Sequence, residues 1–322
     1  MPTRLRSDRI EGTGGLLVVH GGAWDIPDSA LEEHRAGLRS VVESTPSILQ
    51  EVGQAVDGAT EAVAALEAHE AFNAGYGAML NQDGEAELDA GVMDGDSLEF
   101  GAVAATRHVA RPVRVARRLL DEGEGRVRML VGEGAERFAE AEGMALVPNE
   151  ALVCPREQAR HERVRAQVEP DHPSTSFLPG ASPLGGADTV GSVVRDPAGR
   201  LAAATSTGGT PFKPPGRVGD SPLPGAGFYA DEHVAVSATG WGEAIAMVGL
   251  ARDVRERVVG GAPAEGAARR ALRRMQDRVE SPDGEGATGG CIVVTPEDAA
   301  YAFTTPRMAR GWCTGGEAHW TV

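Results

Sequence analysis

The chain is poor in cysteine: its 322 residues hold three, Cys154, Cys291 and Cys313. They lie far apart, are odd in number and form no CxxC pair, which excludes a disulfide framework and gives no zinc-binding spacing. The eight histidines show neither HxH nor HExxH, so no catalytic metal is expected. No lysine-serine or lysine-threonine follows the glycines of "GEGA", so a phosphate loop is not expected either. No apolar run approaches the length of a membrane span. The first fifteen residues carry Arg4, Arg6 and Arg9 and no apolar centre, unlike a secretion signal, so a cytoplasmic location is expected. Positive charge is also short. A net charge of −16 and a pI of about 5.0 argue against nucleic acid or an anionic membrane as partner.

What is present is a chain for one large domain or two ordinary ones, 41% hydrophobic and rich in glycine and proline. Met1 to Gly15 reads as a flexible lead-in. Leu16–Val19 reads as a buried strand, followed by a strand-end turn in "HGGAWD". Ser29 and Glu32 form a capping-box pattern before a helix through Leu31, Leu38 and Val42, and Val56, Ala59, Val63 and Leu66 mark a second helix. A Gly/Asn-rich loop, "HEAFNAGYGAMLNQDG", leads to strands in "ELDAGVMDG" and "FGAVAAT". Helices are expected from Pro112 to about Leu120 and from Glu136 to Glu142. Glu150 to Gly186 loses periodicity and carries five prolines, the best linker in the chain. Val190–Val194, the turn "DPAG" and Leu201–Thr205 read as a hairpin. Val234–Ser237, a helix after Gly242, a helix from Ala264 to Val279, and strands at Cys291–Val294 and Ala300–Phe303 complete the pattern.

The hairpin places a threonine. If its turn centres near Pro197 and Ala198, residues whose numbers sum to about 395 face each other, so Thr189 lies opposite Ser206 or Thr207. A hydroxyl needs a base to become a nucleophile, and the sequence shows no Ser-His-Asp arrangement here. A threonine at a new N-terminus would supply its own α-amine, with a pKa of roughly 7.7–8.0. A cross-strand threonine pair without chemistry is the competing reading. His20 offers itself as a base, though "HGGAW" is more simply a turn. Arg217 and Asp220 offer a fixed cation and anion, or an ordinary surface ion pair. Asn73 reads as a turn residue.

The ordered segments "VVHGGAWD", "FNAGYGAMLN", "ELDAGVMDG", "GEGAERFA", "DTVGSVVRDPAGRLAAATSTGG", "KPPGRVGDSPLPGAGFYAD", "SATGWGE", "GGCIVV" and "TPRMARGW" resemble the plant-type asparaginase / isoaspartyl aminopeptidase family of N-terminal nucleophile hydrolases. The resemblance runs from about Leu16 to about Trp312. It implies an α/β fold of four αββα layers and a chain that cuts itself between Asp188 and Thr189. Residues 1–188 would form the α chain, with a mobile tail from about 150 to 188, and 189–322 the β chain, whose first residue is the nucleophile. Thr207 would assist it. Arg217 and Asp220 would hold a substrate's α-carboxylate and α-ammonium, and Thr239 and Gly240 would supply oxyanion donors. The Gly240 carbonyl would also touch the substrate amine, and Asn73 would line the site. No catalytic cofactor is implied. Leu66, Glu67, His69, Phe72, Ala74 and Tyr76 match a structural sodium loop. The implied substrates are small aspartyl compounds, L-asparagine and β-aspartyl dipeptides, and the implied assembly is a dimer of αβ units.

Two positions depart from the commoner pattern. Asp188 stands where many isoaspartyl-peptidase relatives carry glycine, and Ala187 where histidine is frequent. With "SPLPGAGFYAD" they lean toward the glycosylasparaginases, which act on N-glycosylated asparagine, whereas "STGG" and "HGGAWD" favour the asparaginase side. An unprocessed, inactive amino-acid-binding scaffold is the alternative outside catalysis. Asp188 also offers a carboxylate beside Thr189 while no α-amine exists.

Overall fold

The computed structural model describes residues 5–12, 14–123, 125–167, 189–281, 284 and 286–322. The first half runs β1 (Arg6–Ile10), β2 (Leu16–Trp24), α1 (Leu31–Val52), α2 (Ala55–Glu67), β3 (Leu88–Asp94), β4 (Glu99–Thr106), α3 (Pro112–Glu122), β5 (Met129–Val131), α4 (Glu133–Ala141) and α5 (Pro155–Arg165). The second runs β6 (Val190–Arg195), β7 (Leu201–Thr207), β8 (Phe228–Ala230), β9 (Ala235–Gly240), α6 (Gly242–Val248), α7 (Leu250–Val259), α8 (Ala264–Arg278), β10 (Gly289–Val294), β11 (Ala299–Phe303), β12 (Arg307–Thr314) and β13 (Glu317–Thr321).

Two sheets form. One has the order β1-β11-β10-β9-β8, the other β13-β12-β2-β6-β7-β3-β4-β5, with β4–β5 the parallel pair among antiparallel ones. The sheets face each other, with β6 and β7 against β8 and β9; α1, α2 and α3 cover the larger sheet, and α7 and α8 the smaller. This is the expected four-layer αββα sandwich. Alternation along the strands builds it. On β7, Leu201 and Ala203 face the other sheet, while Ala202 and Ala204 face the helices.

The β6–β7 hairpin forms as read. Asp196 Oδ1 accepts from the N–H groups of Ala198 (2.9 Å) and Arg200 (3.0 Å), an Asx turn that fixes the loop. Val190 then pairs with Ser206 and Arg195 with Leu201. One residue further, Thr189 meets Thr207.

The structure adds strands β5, β8, β12 and β13 to those read from the sequence and departs from that reading at four further places. Arg6–Ile10 is an edge strand on β11 rather than a lead-in; only Ile10 of it is buried, so no apolar pattern announces it. His20–Trp24 continues β2 instead of turning. Ser29 does not cap a helix: a 3-10 turn spans Asp28–Ala30, and Ala30 precedes α1 with no side-chain cap. Within the supposed linker, a 3-10 turn at Asn149–Leu152 and helix α5 are built, Pro155 opening the helix where its missing N–H costs nothing. Of α5 only Glu157 and Val164 are buried, too few to show a period. The remainder of that tail, 168–188, lies outside the described residues.

Among the polar groups that interrupt the apolar filling between the sheets is one pair, His20 Nε2 at 2.7 Å from Ser237 Oγ. Gly191 makes room for it: a Cβ there would come 1.9 Å from Ser237 Oγ and 2.5 Å from His20 Nε2. Gly191→Ala is therefore expected to lower stability by about 1–3 kcal/mol, the usual cost of overpacking, measured as a shift of the urea midpoint. An unchanged midpoint would show that the pair can move aside.

Candidate active site

Strand alternation carries a row of polar side chains into the space between the sheets, at one end of the sandwich. His20 shares its face of β2 with Leu16 and Val18, and Thr189 shares its face with Gly191 and Val193. On β7, Thr207 shares the inter-sheet face of Leu201 and Ala203. Thr189 Oγ1 lies 3.3 Å from Thr207 Oγ1, and both residues are buried. Gly209 N–H donates to Thr207 Oγ1 at 3.0 Å, so the turn after β7 orients that hydroxyl.

Asn73 ties the "FNAG" loop to the same turn. Its Nδ2 donates to Gly209 O (2.7 Å), and its Oδ1 accepts from Met79 N–H (2.7 Å). It thus sits at the site as a clamp on backbone. From the opposite sheet, Thr239 Oγ1 accepts from Ala23 N–H at 3.3 Å, which leaves its own O–H to donate elsewhere. Gly240, next along β9, is paired with Gly289 of β10.

Arg217 and Asp220 do converge, but not as an ion pair with each other. Asp220 Oδ1 and Arg217 Nη2 both approach the space a side chain at Gly242 would fill, at 2.7 and 3.2 Å from its Cβ position. The partner of Arg217 is Glu243, whose Oε1 accepts from Nε (2.9 Å) and lies 2.7 Å from Nη2. Asp220 is buried, and its Oδ2 has no hydrogen-bond partner among the described residues. Burial pushes its carboxyl up to about 7, against the pull of its own backbone N–H and of Arg217. This is a guanidinium held in place beside a carboxylate with a free oxygen, suited to a zwitterion.

His20 is a weak base whose Nε2 is taken up by Ser237 Oγ. Complete burial pushes its ring down to about 3, so it stays neutral. All three cysteines are buried and free. In the stretch resembling a sodium loop, the carbonyls of Leu66, His69, Phe72 and Ala74 each accept one local backbone N–H, at 2.9–3.3 Å. The carbonyls of His69, Phe72 and Ala74 keep a second lone pair, so neutral oxygens suited to a monovalent cation remain; the Leu66 carbonyl also has the Ala68 N–H, and the Glu67 carbonyl has Arg111 Nη1 at 3.4 Å. The Glu67 carboxyl works elsewhere. It accepts from Val113 N–H at the start of α3 (3.1 Å), and burial pushes it up to about 8. Among the described residues no group of three or more His, Cys, Asp or Glu could hold a metal.

Sequence reasoning missed Glu243, Asp89 and Lys213. Each lies within a quoted segment, "SATGWGE", "ELDAGVMDG" or "KPPGRVGD". The available signal for Glu243 was the need of a half-buried arginine for a counter-charge. The expected cut site is only half visible, since Asp188 lies outside the described residues.

An αββα sandwich with a threonine at the start of a central strand defines the class, the N-terminal nucleophile hydrolase architecture. Within it, residues 13–322 match the asparaginase family, and the chain belongs to that family. A protein of Danio rerio named isoaspartyl peptidase/L-asparaginase is 40% identical over 306 residues, 94% of each chain. An isoaspartyl peptidase of Salmonella typhimurium is 41% identical over 312 residues, 94% of this chain and 96% of its own. A Homo sapiens isoaspartyl peptidase/L-asparaginase is 38% identical over 310 residues, 95% and 96% of the two chains. No helix of the described residues is long and apolar enough to cross a membrane.

Asp220 makes stability depend on pH. Its native carboxyl titrates near 7 against 3.8 for an unburied one, so its contribution is fully present below about pH 4 and is lost as pH rises to 7. Asp220→Asn should flatten that fall, on the order of a few kcal/mol, in denaturant midpoints taken from pH 4 to 7. Parallel curves for the two proteins would rule the burial penalty out.

Proposed function

We propose that this protein is an autoprocessing N-terminal threonine amidohydrolase that releases L-aspartate from L-asparagine and β-aspartyl dipeptides. The names of its relatives support the substrates. The observation that carries the reading is the buried contact of Thr189 Oγ1 with Thr207 Oγ1 at the head of β6. The cut falls between Asp188 and Thr189, giving an α chain of 1–188 and a β chain of 189–322. Before it, the Asp188 carboxylate serves as local base; Asp188→Ala should slow the cut on a denaturing gel.

After the cut, the Thr189 α-amine takes the proton of its own Oγ, oriented by Thr207. Oγ attacks the side-chain carbonyl carbon, and the oxyanion meets the Thr239 hydroxyl and the Gly240 N–H. The C–N bond breaks as the α-ammonium passes its proton to the leaving ammonia or amine. The resulting ester on Thr189 Oγ is hydrolysed by water, whose proton the amine takes and returns to Oγ as aspartate leaves. Arg217 holds the substrate α-carboxylate, while Asp220 and the Gly240 carbonyl hold its ammonium. Asn73 keeps the turn behind Thr207 in place. A sodium ion held by the carbonyls between Leu66 and Tyr76 would stiffen the loop bearing Asn73; it takes no part in the chemistry. A cytoplasmic location and a dimer of αβ units complete the reading.

Mass spectrometry is expected to show two chains, the second beginning at Thr189, and Thr189→Ala should remove both cut and turnover. One intact chain would favour the inactive scaffold. Release of aspartate from glycosylasparagine alone would favour the glycosylasparaginase reading. The kcat/KM for asparagine should rise from pH 6 to 8 with a limb near 7, as Asp220 ionises to meet the ammonium. Asp220→Asn should remove the component near 7, leaving only the rise of the Thr189 α-amine at roughly 7.7–8.0, and lower kcat/KM about 10- to 100-fold, the worth of one charged hydrogen bond.

A further inference from the structure

Lys213 is the only lysine in the chain, against 30 arginines. At every other position that needs a cation this sequence uses the larger guanidinium. The one ammonium is fully buried, its Nζ donating to Glu87 O at 2.9 Å. The Lys213 backbone is pinned as well: its carbonyl accepts from Gln82 N–H at 2.9 Å.

It lies under the turn that follows Thr207. Gly209 has φ +78°, and a Cβ there would come 2.9 Å from Lys213 Cδ, 3.1 Å from its Nζ and 3.2 Å from Arg217 Nη1. Ammonium and guanidinium thus meet at the residue whose N–H orients the Thr207 hydroxyl. A planar guanidinium in place of the ammonium would need volume that Gly209 does not leave.

Asp89 supplies the opposite charge. It pairs with Thr207 across β3 and β7, and shares its face of β3 with Gly91 and Met93, which point at the other sheet. A register shift between β3 and β4 falls at Asp89, and its Oδ1 accepts from Ala105 N–H at 2.8 Å. Such a bulge re-aims a side chain. Its Oδ2 has no hydrogen-bond partner among the described residues. Burial pushes Asp89 up and Lys213 down, and each pulls the other back toward its charged form.

Nucleophile, helper hydroxyl and buried carboxylate therefore stand in one cross-strand row, Thr189, Thr207, Asp89, with the ammonium beneath the adjoining turn. We propose that Lys213 and Asp89 are positioning residues that act as one charge pair, holding Thr207 and the Gly208–Gly209 turn where they orient the Thr189 hydroxyl. Neither touches substrate; both act through Thr207. This rests on the proposed hydrolase reading.

The test uses the full chain with Lys213→Met, Asp89→Asn, the double variant and Lys213→Arg, reading kcat and KM for aspartate release together with thermal midpoints. Each single variant should lose about 100-fold in kcat with KM little changed, as expected for a displaced reacting group. The double variant, free of an unpaired buried charge, should recover its midpoint but not its kcat. Lys213→Arg, though it keeps the charge, should not restore kcat. Wild-type kcat in any of the four, or kcat restored along with stability in the double variant, would overturn the proposal. If the unmodified protein releases no aspartate at all, the hydrolase reading falls instead. A crystal structure of the double variant then decides the positioning role: a Thr207 hydroxyl swung away from Thr189 supports it, and a kept 3.3 Å contact defeats it.

Discussion

The register of one hairpin governs the site. The Asx turn at Asp196 fixes how β6 meets β7, and that alone brings Thr189 against Thr207. A slip of one residue would set Ser206 rather than Thr207 opposite Thr189 and turn one of the two hydroxyls to the helix-facing side, where Ser206 and Ser192 now lie. Everything else at the site is attached to this pair. The glycine turn leaves β7 directly after Thr207, Asp89 flanks it on β3, and β2 and β9 bring His20, Ala23 and Thr239 from either side.

The cost of the arrangement is polar groups in a dry layer. Asp220 and Asp89 each hold a carboxyl oxygen without a hydrogen bond among the described residues, and both are pushed toward their neutral forms. A protein built only for stability would fill such positions with apolar side chains. Their presence at one end of the sandwich, while Val18, Val193 and Ala203 fill the space behind them, separates the part that supports from the part that acts.

Much of this was legible in the sequence. The central strands of both halves, the hairpin and its register, and the layered fold followed from alternation, turn chemistry and ordered motifs, while β5, β8, β12 and β13 did not. What stayed hidden had weak local signals. The edge strand Arg6–Ile10 has one buried residue, and α5 has two. The clasp of Arg217 by Glu243 joins residues 26 apart in the chain, and no period connects them. Asn73 was read as lining the site; its amide proves to be occupied by backbone on both sides. His20, read as part of a turn more simply than as a base, lies on β2 and is kept neutral by the depth at which the strand carries it.

The solitary buried lysine has a practical side. Since Lys213 is fully covered, the folded protein shows solvent no lysine amine. Acylating labels and lysine cross-linkers find no side chain to modify, and the primary amines left to them are those at chain starts. Thr189 is buried too, so labelling after unfolding, which opens Lys213 and any new start at Thr189, counts polypeptide beginnings: two amines for a continuous chain, three for a severed one.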